Sequence, residues 1–112
     1  MQTAESVETS GGRRTFLDIA TAIVNACRPG ASRTRVLYNA NLNFRQLKKY
    51  LQVLETSRLI AFDAEYRVYK TTEKGRKFLF HQKELESAIA VADGNRKILY
   101  QLLENEPAVD LK

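Results

Sequence analysis

Arg45, Gln46, Lys48, Lys49 and Gln52 lie within a run of eight residues, with Arg33 and Arg35 shortly before them and Arg58 shortly after. Guanidinium and ammonium groups donate hydrogen bonds and accept none, so a cluster of them suits phosphate oxygens. The Arg fork also fits the O6 and N7 acceptors of guanine, and a Gln amide fits adenine. This is chemistry for holding a polyanion rather than for making or breaking bonds. Bond-making would need a nucleophile with a neighbouring base, or a glycine loop that cradles phosphate, and neither is present. Gly75, in Thr72-Glu73-Lys74-Gly75-Arg76, is a lone glycine early in a helix. Cys27 is the single cysteine and His81 the single histidine, so an intrachain disulfide is excluded and a zinc site is not expected. Cys27 follows the apolar period of its helix and is expected as a buried thiol. The sequence therefore points away from an enzyme and calls for no cofactor and no metal.

The elements that must position these groups follow from periodicity. In 43–57, Phe44, Leu47, Leu51 and Leu54 recur at three- and four-residue spacing as an apolar stripe, while Arg45, Lys48, Lys49 and Gln52 form a second stripe with another heading. Asn43 is the expected N-cap, and Gln46 completes a capping box. Upstream, Phe16, Ile19, Ala20, Ile23, Val24 and Cys27 predict a helix over 14–28, closed by Arg28-Pro29-Gly30. A shorter helix over 32–39 opens at Ser32, turns Val36 and Leu37 inward and leaves Arg33 and Arg35 more exposed; Tyr38 either packs or faces a phosphate. The tight connection 39–43 makes the last two helices a helix-turn-helix with 43–57 as its recognition helix. After Ser57 the period becomes extended. Leu59, Ile60 and Phe62 predict one strand, Asp63-Ala64-Glu65 a tight connection, and Tyr66, Val68 and Tyr69 a second strand. This hairpin reads as a wing. Arg67 and Lys70 on it can reach phosphate or the minor groove, although its acidic tip opposes DNA, so packing is an equally good use for it.

A long helix then opens at Thr72-Glu73, with Thr71 as the other possible cap. Phe78, Leu85, Ala92 and Leu99 recur every seven residues, joined by Ile89 and Leu103, which is the pattern of a coiled-coil seam; Gln82 and Arg96 interrupt it. Running from 72 to 104, such a helix would be roughly 50 Å long at 1.5 Å per residue. No small domain covers that length, so its distal half calls for a second copy of itself. Asp93-Gly94-Asn95 is the weak point, and the rival is a helix ending near Ala92 with a separate one over 96–104. The expected organisation is a disordered leader at 1–12, a winged helix-turn-helix domain at 13–71, a dimerisation helix at 72–105 and a flexible tail at 106–112.

Charge is distributed unevenly along this plan. The net charge of +5 divides into −2 over 1–12, +7 over 13–58 with nine basic residues against two acidic, +2 over 59–77 and −2 over 78–112. Positive charge concentrated around the first three helices favours an electrostatic partner over simple solubility. No apolar run approaches the roughly 18 residues that span a bilayer, and the start of the chain has no signal-peptide stretch, so a soluble intracellular protein with no membrane role is expected.

The runs TRVLYNANLNFRQLKKYLQVLETSRLI at 34–60 and YRVYKTTEKGRKFL at 66–79, in the order helix, helix, recognition helix, wing, long helix, resemble the archaeal winged-helix family of small chromatin-associated DNA-binding proteins and transcriptional regulators. The likeness covers about 13–92 and is most specific from Asn41 through Leu51 and at Thr72-Glu73-Lys74-Gly75. It implies an α+β, mainly α fold and a C-terminal helix that pairs antiparallel with its twin. It also implies binding of double-stranded DNA in the cytoplasm, at the nucleoid. Carried onto this chain, Arg45, Gln46, Lys48 and Lys49 fall on the exposed recognition helix, Arg33 and Arg35 on the helix before it, and Phe78, Leu85, Ile89, Ala92 and Leu99 on the pairing helix. From their own chemistry and position, Gln52, Arg58 and Arg67 join the DNA-binding set and Leu103 the pairing set. The acidic leader, the acidic wing tip and the Asp93-Gly94-Asn95 interruption depart from the family pattern. Two other classes fit the fold: a protein-interaction module docking through Tyr66, Tyr69 and the long helix, and a ligand-responsive regulator.

Overall fold

The computed structural model describes residues 14–104; the leader expected at 1–12 and the tail expected at 106–112 lie outside them. In chain order the described residues form α1 (Phe16–Ala26), α2 (Arg33–Asn39), α3 (Phe44–Thr56), β1 (Ile60–Asp63), β2 (Val68–Thr71) and α4 (Glu73–Leu103). This is a mainly helical winged helix-turn-helix with a short two-stranded wing and a long C-terminal helix. It divides into two compact units, one ending at Phe80 and the other beginning at His81.

Local side-chain chemistry fixes the helix ends. The Thr15 hydroxyl accepts from the N–H of Asp18 at 3.1 Å and the Asp18 carboxylate accepts from the N–H of Thr15 at 2.9 Å, a capping box that starts α1 at Phe16 rather than at 14. Ser32 caps α2 through the N–H of Arg35, and Asn43 and Gln46 form the expected capping box on α3 at 2.8 and 3.1 Å. Both α2 and α3 close with the same double hydrogen bond. The N–H groups of Asn41 and Leu42 donate to the carbonyls of Tyr38 and Leu37, and those of Arg58 and Leu59 donate to Glu55 and Leu54. This Schellman closure needs a left-handed residue, supplied by Asn41 at φ 54° and Arg58 at φ 65°.

One apolar cluster holds the first unit together. Ile19, Ile23 and Val24 of α1, Cys27, Val36 of α2, Leu47, Leu51 and Leu54 of α3, and Ile60 and Tyr69 of the wing are all buried in it. Phe44 departs from the expected stripe: at the first position of α3 it is 69% exposed, while Leu47, Leu51 and Leu54 further along are buried. The strands are shifted from expectation as well. Leu59 is buried but precedes β1, Asp63 ends β1, and Tyr66 lies in the turn between the strands rather than in the second one. The strands pair antiparallel from Ile60↔Thr71 to Asp63↔Val68. Ala31 exchanges both backbone hydrogen bonds with Tyr69, at 3.0 and 2.8 Å, and so ties the wing to the segment between α1 and α2.

The start of α4 is stitched to the end of α3. Thr72, not Thr71, is the cap: its hydroxyl accepts from the N–H of Gly75 at 3.0 Å and donates to the Arg58 carbonyl at 2.6 Å, while Lys74 donates to the Ser57 carbonyl at 2.8 Å. Thr71 instead donates its hydroxyl to the Val24 carbonyl inside the core. Phe78 and Leu79 pack on the same core, which is why the first unit extends through the opening turns of α4. In the second unit the chain is helical through Leu103, and Asp93-Gly94-Asn95 does not interrupt it. Arg96 pairs with Asp93 at 2.9 Å across one turn of this stretch, and a side chain at position 94 would meet open space.

Candidate nucleic-acid interface

Helix α3 presents two faces. Leu47, Leu51 and Leu54 bury one, and Arg45, Lys48, Lys49 and Gln52 stand exposed on the rest. Ion pairs among the described residues join Lys70 to Asp63, Arg76 to Glu73 and Arg96 to Asp93, and none of them engages Arg45, Lys48 or Lys49 of α3. Gln46 has a different situation. Its Oε1 accepts from the Asn43 N–H, so two-point pairing with adenine would have to share that oxygen with the capping box or open the box.

Around α3 the other expected positions are distributed as follows. Arg33 and Arg35 are exposed on α2, and Arg35 borders a shallow recess of about 320 Å³ with Ser32, Thr34, Tyr38 and Asn39. Tyr38, left open by the sequence between packing and facing outward, is 74% exposed. Arg58 and Arg67 are both exposed and both left-handed, at φ 65° and 57°. That backbone region costs a residue with a Cβ about 1 to 2 kcal/mol, and glycine would occupy it freely.

The wing is less acidic toward solvent than its sequence suggests. Asp63 accepts from the N–H groups of Glu65 and Tyr66 and pairs with Lys70 at 3.3 Å. The Tyr66 N–H above all, with Lys70 and the Glu65 N–H behind it, holds the Asp63 carboxyl below the usual carboxylate range. The turn Ala64-Glu65-Tyr66-Arg67 is thereby organised, with Lys70 also 5.8 Å from the centre of the Tyr66 ring. Tyr69, by contrast, is 7% exposed and stacks at a tilt on Phe62, which removes it from any docking surface.

Two supporting residues escaped the sequence reading. Arg14 sends both arms of its guanidinium to the helix-turn-helix connection, at 2.7 Å to the Ala40 carbonyl and 2.8 Å to the Asn41 carbonyl. Its partners are 26 and 27 residues away, so no local pattern announces it. Gly75 is buried, and a Cβ there would land on the Leu59 carbonyl oxygen and within 2.7 Å of Thr71 Cγ2. A glycine in the first turn of a helix was its one visible signal.

Of the expected pairing residues, Leu85, Ile89, Ala92, Leu99 and Leu103 lie exposed in the second unit, while Phe78 belongs to the core of the first. Val91, Ile98 and Leu102 form a further exposed apolar stripe on the same helix, at seven- and four-residue spacing. Cys27 is fully buried, and burial pushes its thiol up to about 11, so at neutral pH it is not a nucleophile. No three His, Cys, Asp or Glu side chains among the described residues are grouped as a metal site would need. None of the described helices is long and apolar enough to cross a membrane.

Comparison with known proteins agrees with this geometry. No curated protein sequence matches the chain. Among solved structures, the crystal structure of Sso10a-2, a DNA-binding protein from Sulfolobus solfataricus, superposes with a TM-score of 0.73 at 26% identity, covering 83% of this chain and 100% of that one. A mutant of Lactococcus lactis ZitR superposes at 0.44 and 16% identity, over 88% of this chain and 77% of that one. The sequence pattern of the winged helix-turn-helix family matches residues 13–90, and the chain belongs to that family.

Proposed function

We propose that this protein binds double-stranded DNA as a homodimer and acts as a transcriptional regulator or a chromatin-associated architectural protein at the nucleoid. The observation that carries the reading is the exposed, unpaired set Arg45, Lys48 and Lys49 on the helix whose opposite face is locked into the core. In a helix-turn-helix that helix enters the major groove N-terminus first. Arg45, in its first turn, reaches base edges. Lys48, Lys49, Gln52, Arg33, Arg35 and Arg58 take phosphates, and Arg67 takes the backbone beside the wing. The likeness to a DNA-binding protein at 26% identity supports the same reading. Dimerisation engages Leu85, Ile89, Ala92, Leu99 and Leu103, whose side chains are otherwise left to water.

Fluorescence anisotropy on one duplex at several salt concentrations tests this. Lys49→Ala should weaken binding similarly on all sequences and lower the salt slope by about 1, the signature of one lost phosphate contact. Arg45→Ala should cost about 1 to 3 kcal/mol on a preferred site and little elsewhere. Wild-type affinity and slope in both variants would refute the assignment of α3 and favour a protein-docking role.

A further inference from the structure

Phe44 is the first residue of α3 and 69% exposed, although its spacing from Leu47 and Leu51 would place it in the core. Three exposed aromatic rings of the head have a ring or cation beside them. Phe16 stacks on Tyr50 at 5.3 Å, Phe62 packs on Tyr69 at 5.0 Å, and Tyr66 lies beside the Lys70 ammonium. Phe44 and Tyr38 have no such ring or cation partner among the described residues. Tyr38 carries a hydroxyl that water satisfies; Phe44 carries nothing polar.

Its surroundings indicate what would cover it. Side chains on a helix lean toward the N-terminus, so the Phe44 ring is carried off the leading end of α3. Asn43 and Arg45 are its chain neighbours, and Lys48 stands one turn further along the same side. An exposed apolar ring on the first turn of a recognition helix whose exposed residues include Arg45 and Lys48 meets, in the major groove, a surface whose chief apolar feature is the thymine C5-methyl group. A protein partner would have to cover the same ring while accommodating Arg45 and Lys48, whereas DNA satisfies ring and cations together.

We infer that Phe44 is a specificity-determining residue that packs against a thymine methyl group next to the base edge reached by Arg45. The inference rests on the DNA-binding reading above and adds a base preference to it. Two duplexes of one A·T-rich sequence, identical except that deoxyuridine replaces every thymidine in the second, separate the two claims. The full-length wild-type protein should bind the thymidine duplex about fourfold more tightly for each methyl group buried. Phe44→Ala should bind both duplexes alike, with the wild-type salt slope, because no charge is lost. Lys49→Ala should keep the wild-type ratio between duplexes while binding both more weakly, which shows that the ratio is not a general effect of the altered DNA. If the wild type binds both duplexes equally with a normal salt slope, DNA binding stands and the methyl contact is wrong. Retention of the thymidine preference by Phe44→Ala would overturn it as well. If the wild type binds neither duplex, both readings fall.

Discussion

Gly75 sits where the head admits no side chain. Its Cα faces the Leu59 carbonyl and the Thr71 methyl group, so α4 can approach the wing only without a Cβ at that position. Gly75→Ala should therefore destabilise the protein by about 1 to 3 kcal/mol or more, despite the gain in helix propensity, and urea unfolding reads this directly. Gly94→Ala is the matched control, because nothing lies within 4 Å of a Cβ there, and it should stabilise by up to about 1 kcal/mol. Arg58 is the converse case. Its left-handed φ of 65° would suit glycine, so Arg58→Gly should leave stability unchanged or raise it by up to about 1 kcal/mol. The same change should weaken DNA binding if the guanidinium holds a phosphate. Cys27 sets an alkaline limit. Its folded value near 11 lies above the ordinary thiol value of 9.0, so the unfolded chain loses its proton first. Stability from this group is complete below about pH 9 and declines as pH rises toward 11, which equilibrium unfolding at stepped pH would follow.

At the scale of elements, the parts that were legible in the sequence are those fixed by near neighbours. Asn43 with Gln46 and Ser32 ahead of α2 announced their helices because caps act over three residues. Leu47, Leu51 and Leu54 gave away the buried face through their spacing alone. Phe44 had the same spacing and a different fate, exposed at the first position of α3, and periodicity carries no information about where a core stops. Arg14 was illegible for a related reason: its carbonyl partners are brought near only by folding. The wing was legible as a hairpin but not in its electrostatics. Asp63, read as part of an acidic tip, is instead the residue that organises the turn through two backbone N–H groups and Lys70. Its carboxyl is held below the usual range, so its contribution is present above about pH 4 and lost as pH falls through the lowered value. Amide exchange or chemical shifts of residues 63–70 should show the turn loosening in that acid range ahead of α3, and Asp63→Asn should reproduce part of the change at neutral pH.

At the scale of the whole molecule, the proposed dimer turns on the second unit. From Lys83 through Leu103 every residue is exposed, including Leu85, Ile89, Leu99 and Leu103 on one stripe and Val91, Ile98 and Leu102 on another. Light scattering at micromolar concentration should give a dimer for the full chain and a monomer for one ended after Phe80. Leu85→Ala, Ile89→Ala or Leu99→Ala should each weaken pairing by about 2 to 5 kcal/mol if fully buried in the seam. The sequence showed the first stripe through its seven-residue repeat and hid the second, which has too few members to stand out. The proposed dimerisation would serve the central claim, that the exposed face of α3 is a DNA surface, only by doubling that face. That claim is tested most directly by titrating the full-length, isotope-labelled protein with a short duplex and following its backbone amide resonances. The account predicts the largest changes at Phe44 through Gln52, with smaller ones at Arg33, Arg35, Arg58 and Arg67, and none at Asn25, Arg28 or Arg76. Changes confined to the second unit, or none at α3 under low salt, would contradict it.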